Sequence, residues 1–482
     1  MAWWDQLWRS THRRPESQSG KPQTASKPTR PIVGEPKPRH IHLGIDFGTC
    51  WSKIVLRDYE ANTQRAFVVR VPRRGETERQ YRIPSAVNLS GGTLYFGWSG
   101  DARATGNRSV AFRSIKMRAA FPNAPEHSRL PKLPDGFTAT ELASLVVAYL
   151  IQVGGEAATQ YVGGLPKGPM KPRIGMTIGV PMSLGQDTGL RDRFVGIART
   201  ALDLHHNGAP SFDQGLDLSR ARDLLDGSRR RLETKAPVQD PREWVRSEAE
   251  SGLLWIFESP RVASGLYICV DVGAGTTDVS VFRIADQFEE DTWIKGKLAF
   301  YSAVSDRPGV DALDDAIVLG LGDQTTDVRT IENDLIRQHG LSDSVKSVIQ
   351  QIFAVYRKGW SSAYQKLPLQ KEWHPFGLFV LGGGSKIDSV RTALQKSPWP
   401  PQLADRLCKQ NEFPIDLFEM PRKAGELALA PFAGDGAFLL VAYGLSFMRG
   451  DVPPVETPDE MPAYEPPRAP KRSIDQDEYY PK

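Results

Sequence analysis

Apolar residues in this chain gather into short runs, several ending in glycine, that alternate with stretches of helical period, the pattern of an α/β protein. Residues 41–56 read as a strand, a glycine turn and a second strand, and residues 66–71 and 83–89 alternate enough for further strands. A helix is predicted over 140–153, with Thr138 or Thr140 at its N-cap before Leu142, Leu145, Val146 and Tyr149. Residues 173–180 read as a strand that stops at Pro181, followed by a helix at about 190–204. A short strand at 244–246 then leads into a helix at 249–257. A second half starts near Leu266 with strand, glycine turn and strand over 267–283. It continues with helices at about 309–321, 327–339 and 342–365, a strand at 378–381, a helix at 389–396 and an apolar helix at 438–448. Each half opens with a strand, an Asp-x-Gly turn and a strand, which points to an internal duplication.

Composition changes this picture mainly at the ends. Residues 11–39 are rich in Pro, Ser, Thr, Lys and Arg and read as a disordered linker. Before them, Trp3, Trp4, Leu7 and Trp8 form a cluster suited to a partner groove, a membrane interface or the chain's own body. Residues 451–482 are Pro-rich and acidic and are also expected to be disordered, leaving a folded body of about 40–265 and 266–450. Within it, residues 205–243 look inserted and hold a basic helical stretch from Ser219 to Glu233, read as a solvated surface helix or a partner-docking element. The 482 residues are 40% apolar and 24% charged, as globular domains are, and a net charge of +4 gives no case for nucleic-acid binding by the body. Cys50, Cys269 and Cys408 are widely separated and show neither a disulfide framework nor a metal spacing, so a reducing cytoplasm is expected. No apolar run reads as long enough to span a bilayer, and the start lacks the apolar stretch of a secretory signal.

The chemistry lies in the glycine turns: Leu43-Gly-Ile-Asp-Phe-Gly-Thr-Cys50, Tyr267-Ile-Cys-Val-Asp-Val-Gly-Ala-Gly-Thr-Thr-Asp278 and Gly377-Leu-Phe-Val-Leu-Gly-Gly-Gly-Ser385. In the first two, an aspartate stands at the strand end before a Gly-Thr pair. Backbone N–H groups there can approach phosphate oxygens while the carboxylate faces an accompanying metal. Ile45-Asp-Phe-Gly-Thr49 and Val270-Asp-Val-Gly-Ala-Gly-Thr-Thr-Asp278 resemble the two phosphate motifs of the actin-like ATPase superfamily. Val380-Leu-Gly-Gly-Gly-Ser-Lys-Ile387 resembles its adenosine motif and Val441-Ala-Tyr-Gly444 its closing helix. Tyr81-Arg-Ile-Pro-Ser-Ala-Val87 and Thr177-Ile-Gly-Val-Pro181 are similar to DnaK-type heat-shock chaperones more than to actin or sugar kinases. The resemblance covers about residues 41–448.

This resemblance implies an α/β, actin-like ATPase fold of two lobes, each a duplicated ribonuclease H-like βββαβα unit, around a central nucleotide cleft. It implies ATP or ADP with Mg²⁺, the ion held through water by Asp46 and Asp271. Gly48, Thr49, Cys50, Gly273, Gly275, Thr276 and Thr277 would wrap the phosphates, and Gly382, Gly383, Gly384, Ser385 and Lys386 would meet adenosine and ribose. Lys116, in Phe112-Arg-Ser-Ile-Lys-Met117, is the candidate catalytic lysine, with Arg113 as runner-up, and Glu248 the carboxylate near the attacking water. Arg357 and Lys358, in Tyr356–Ser361, are the expected remnant of an adenine clamp. Ala274 stands where the family usually has glycine, which requires a negative φ there. Some thirty Pro-rich residues after 450 are too few for the family's peptide-binding domain. The reading is therefore an ATP-driven conformational switch that a protein partner reads, with an actin-like filament or a nucleotide-bound scaffold as alternatives.

Overall fold

The computed structural model describes residues 37–60, 65–71, 81–99, 109–165 except 125, 126 and 129, 170–181, 188–207, 211–258 except 237 and 239, 264–289, 292–321, 342–367, 376–394, 409–410 and 438–461. The expected helix at 327–339 and the tryptophan cluster lie outside these residues. In chain order the first elements are β1 (Lys37–Asp46), β2 (Trp51–Asp58), β3 (Arg65–Val68), β4 (Ile83–Pro84), β5 (Val87–Ser90), β6 (Thr93–Phe96), β7 (Ser109–Phe112), α1 (Ile115–Ala120) and α2 (Ala139–Gly163). Next come β8 (Met170–Val180), α3 (Thr188–His206), β9 (Leu216–Asp217), α4 (Leu218–Glu233), β10 (Val245–Ser247) and α5 (Glu248–Glu258). The remainder is β11 (Gly265–Val272), β12 (Thr277–Glu289), β13 (Thr292–Asp306), α6 (Val310–Leu321), α7 (Asp343–Tyr364), β14 (Phe376–Leu381), α8 (Asp388–Leu394), β15 (Lys409–Gln410), α9 (Leu440–Leu445) and β16 (Val455–Glu456).

The fold is mixed α/β. One six-stranded sheet runs β10-β8-β1-β2-β3 with β4 attached to β2, and a second runs β15-β14-β11-β12-β13-β16. Numbering the first five strands of each sheet by their order along the chain gives the same sequence, 5-4-1-2-3, in both. Both sheets pair strands 1 and 2 antiparallel and strands 4 and 5 parallel. A separate four-stranded sheet, β7-β5-β6-β9, takes its last strand from the inserted segment.

Local sequence explains the main helices. Thr138 and Glu141 form a reciprocal capping box that starts α2. This helix runs to Gly163, ten residues beyond the predicted end, and is long and apolar enough by composition to cross a membrane. It is instead a core helix, burying Leu142, Leu145, Leu150 and Ile151 completely. In α4, Ala221, Leu225 and Ser228 face inward at helical spacing. Basic residues in and just after it brace the body: Arg222 and Arg229 both reach Glu141, and Arg231 and Lys235 both reach the buried Asp203.

An apolar layer joins the two sheets. Leu253, Leu254 and Trp255 of α5 and Leu440 and Ala442 of α9 pack with Val55 and Val68 from the first sheet and with Cys269, Phe282 and Phe379 from the second. Two buried arginines tie α9 down. Arg57 donates to Ser446 Oγ at 3.1 Å with its guanidinium 3.6 Å from the Phe447 ring centre, and Arg246 donates to the carbonyls of Gly444 and Phe447. Residues 451–461 pack on the body, contrary to the compositional reading of that stretch. Val452 is buried, β16 pairs in parallel with β13, Lys297 meets Glu456 at 2.6 Å, and Met461 packs on the second core. Unsatisfied edge groups of β13 explain this: Leu298 N–H donates to Pro454 and the strand continues from there.

Burial, with help from the same arginines, leaves His42 neutral. Burial, then the charges of Arg246 and Arg57, lower its pKa from 6.5 to about 3, while its Nε2 shares a 3.0 Å hydrogen bond with Thr177 Oγ1 and its ring meets Tyr59 edge-on. The unfolded chain takes up this proton below pH 6.5 and the folded chain does not until about 3, so the stability present above 6.5 is lost as pH falls. Between pH 6.5 and 5 the wild type should lose about 1–2 kcal/mol more than His42→Gln in urea unfolding. Parallel pH profiles for the two proteins would contradict this account of His42.

Candidate functional site

The two aspartates at the strand ends arise from equivalent hairpins. In β1–β2, Asp46 lies directly opposite Lys53, and in β11–β12, Asp271 lies directly opposite Asp278. The third glycine turn reaches the same place because β14 runs parallel to β11 with Leu381 beside Asp271. Gly382 then turns with φ 74°, and a Cβ there would stand 2.2 Å from Asp271 Oδ1. Only glycine permits both that conformation and that approach. The first two turns meet through Gly275, where a Cβ would come 3.1 Å from Met117 Cγ and 3.2 Å from Thr49 Oγ1.

These turns open on one cavity of about 360 Å³, lined by Asp46, Gly48, Thr49, Cys50, Lys116, Glu248, Asp271, Gly273, Ala274, Gly275 and Thr276, and also by Gly382, Gly383 and Lys386. Lys116 enters it from the start of α1, just after Ser114, the only described non-glycine residue with positive φ (54°). Glu248 enters as the first residue of α5, where β10 ends. Gly179 on the neighbouring β8 makes room, since a Cβ there would lie 2.9 Å from Glu248 Cγ. Lys116 Nζ and Glu248 Oε1 form a buried ion pair. Arg113 is exposed and does not line the cavity, so of the two candidates Lys116 is the one brought to the site.

Charge is distributed unevenly between the hairpins. Lys53 Nζ donates to Asp46 Oδ2 at 2.6 Å, giving the first aspartate a counter-ion. The second aspartate has a like charge opposite it. Burial raises the Asp271 carboxyl to about 8, with Asp278, Glu248 and Asp46 adding to the rise and Lys53 opposing it. Burial likewise raises Asp278, against hydrogen bonds from Ser305 and Thr276, and lifts Glu248 to about 7 against the pull of Lys116. A site that crowds several carboxylates in this way favours a bound cation. Among the described residues no three acidic, histidine or cysteine side chains converge into a direct metal cage. The donor set suits a hydrated Mg²⁺, which keeps most of its waters.

Some expected contacts fall elsewhere. Thr277 is fully buried and donates to the Pro308 carbonyl, Ser385 donates to the Gly382 carbonyl, and neither lines the cavity. Gly384 is buried behind Val272, where a Cβ would be 2.4 Å from Val272 Cγ1. Arg357 and Lys358 are exposed away from the cavity, and Lys358 pairs with Asp306 on the surface. Ala274 lines the cavity without a positive φ, as its side chain requires. Several lining residues had no part in the site read from the sequence, among them Lys53, Arg82, Asp311, Asp314 and Phe438. Lys53 had a usable signal, because a hairpin closed at Gly48 sets it across from Asp46. Asp311 receives a thiol hydrogen bond from Cys50 at 3.3 Å, linking α6 to the first turn.

No protein-family model matches the chain, and no curated protein sequence matches it.

Breaking the Lys116–Glu248 pair from one side leaves a buried carboxylate without its partner. Lys116→Met should cost about 3 kcal/mol at pH 8 in urea unfolding, and adding Glu248→Gln should recover most of it. The cost should shrink at pH 6, because a protonated Glu248 has no charge to leave unpaired. A loss that is independent of pH and unrelieved by the second substitution would contradict the pair's role.

Proposed function

We propose that this chain binds ATP with Mg²⁺ in the cavity, hydrolyses it slowly, and works as a nucleotide-dependent conformational switch related to DnaK-type chaperones. The observation that carries the proposal is the convergence of three separate glycine turns, two strand-end aspartates and the Lys116–Glu248 pair on one cavity. The repeated 5-4-1-2-3 strand order supports an actin-like fold with two related lobes around that cavity.

Each residue then has a physical task. Backbone N–H groups of the Gly48–Thr49 and Gly273–Thr276 turns suit phosphate oxygens. Asp46 and Asp271 would hold the hydrated ion, which when bound neutralises phosphate charge. Lys116 offsets negative charge that develops on the transferred phosphoryl group. Glu248, lifted to about 7 by burial, is poised to orient the attacking water and accept its proton near neutral pH. Phosphoryl transfer asks for little else, since positioning and electrostatics carry most of the catalysis. Closing and reopening around the nucleotide would be read by a protein partner.

Titration calorimetry should show Mg·ATP binding by the wild type and at least about tenfold weaker binding by Asp46→Ala, a loss of 1.4 kcal/mol or more. Lys116→Ala should keep ATP binding but slow single-turnover phosphate release by about 100-fold, the scale of losing one charge-stabilising group. Unchanged Mg·ATP affinity in Asp46→Ala, or none in the wild type, would overturn the reading.

A further inference from the structure

One of the two carboxylates that would hold the ion already carries a cation of the protein's own. Lys53 Nζ donates to Asp46 Oδ2 at 2.6 Å, and the two side chains are only 14% and 7% exposed. The hairpin builds this contact in: Asp46 and Lys53 are direct cross-strand partners in β1 and β2, so their side chains leave the same face of the sheet. Both line the cavity beside Gly48 and Thr49. The second hairpin has no such cation, since Asp278 faces Asp271 there and accepts from Thr276 Oγ1 at 3.0 Å. The Lys116–Glu248 pair differs too, because its carboxylate would meet the attacking water and not the ion.

An ammonium on Asp46 and a hydrated divalent ion compete for one carboxylate. Hydrated Mg²⁺ is held through hydrogen bonds from its waters, which need the oxygen lone pairs that Lys53 uses. The lysine also neutralises a negative charge that would draw the ion, and at this depth it repels a dication beside it. A phosphate chain changes the balance. Its oxygens carry more charge than one carboxylate, and the flexible four-carbon stem of a lysine lets the ammonium swing between neighbours while the backbone stays still. With Lys53 on phosphate, Asp46 becomes a buried carboxylate without its partner, a costly state that a cation relieves.

Resting on the nucleotide reading above, we propose that Lys53 is an internal cation that keeps free divalent ions off Asp46 until a phosphate chain draws it away, so that the metal enters the site together with the nucleotide and not before it. Lys53 is thus a positioning residue that makes metal and nucleotide binding depend on each other, and such coupling is reciprocal.

The test titrates the full chain, without nucleotide, with Mn²⁺, which shares the preference of Mg²⁺ for oxygen ligands and whose free ion is counted by its EPR signal. Lys53→Met should bind Mn²⁺ at least about tenfold more tightly than the wild type, while Lys53→Arg, which keeps the charge, should match the wild type. Adding Asp46→Asn to Lys53→Met should abolish the gain, which places it at this carboxylate. Mg·ATP should move the other way in calorimetry, binding Lys53→Met about tenfold more weakly because the phosphate has lost its ammonium. A variant that is merely damaged weakens both ligands, so the opposite signs identify the exchange. Lys53→Gln, which still donates to Asp46 without a charge, should repeat both results and serves if Lys53→Met does not fold. Mn²⁺ affinity that is unchanged or lower without the lysine charge would overturn the proposal, as would undiminished Mg·ATP affinity. If the wild type does not bind Mg·ATP while the Mn²⁺ gain is present, the nucleotide reading falls and the exclusion of the ion by Lys53 stands.

Discussion

The apolar layer of α5 and α9 between the two sheets is the constraint on which the site depends. Leu253, Leu254 and Trp255 from one helix and Leu440 and Ala442 from the other fill the space between strands that would otherwise share no core. Because this layer fixes one sheet against the other, the ends of β1 and β11 face a common cavity. The layer also places cavity-lining residues at its margins: α5 starts with Glu248, and Phe438 stands two residues before α9. Buried Arg246 holds the C-terminal end of α9 by the carbonyls of Gly444 and Phe447, and buried Arg57 by the Ser446 hydroxyl, where a positive charge also favours the helix dipole. Charges that deep are tolerable because each one is hydrogen-bonded.

Two hairpins of the same design have been given opposite electrostatics. Position for position, Lys53 in the first corresponds to Asp278 in the second, each directly across from the strand-end aspartate. The first aspartate is therefore held by an internal cation, whereas the second sits among like charges with its carboxyl raised to about 8. A duplicated scaffold thereby yields a site with a direction. One wall carries its own counter-ion, and the other holds carboxyl groups that burial and mutual repulsion keep protonated at neutral pH. This asymmetry is what a phosphate chain with a metal ion on one side requires.

Much of this was legible in the sequence, and the parts that were not share a physical reason. The glycine turns declared themselves because strand and glycine, with an aspartate in the first two, sit together within ten residues, and the structure brings all three turns to one cavity. The helices with clear apolar period were also placed well, α3 and α7 within about two residues at each end. Strand β13 was missed, since its pairing with β12 shifts register at two points and breaks the alternation that identifies a strand. Strand β16 was hidden in a Pro-rich stretch, because pairing with a sheet edge depends on the partner and not on local composition. Arg82 and Phe438 meet although 356 positions apart, and Arg57, Arg246 and His42 are buried polar groups that pattern alone assigns to the surface. The basic stretch of α4 reads in sequence as a solvated surface helix or a docking element, yet four of the basic residues in and beside it pair with Glu141 and Asp203 within the same body.

The central claim is that the three glycine turns act as one site. Amide hydrogen exchange with and without Mg·ATP measures this directly, segment by segment. The account predicts that residues 44–53, 271–277 and 382–387 become protected together and to a similar degree when nucleotide is added. Protection confined to one turn, or spread over none of them, would contradict it.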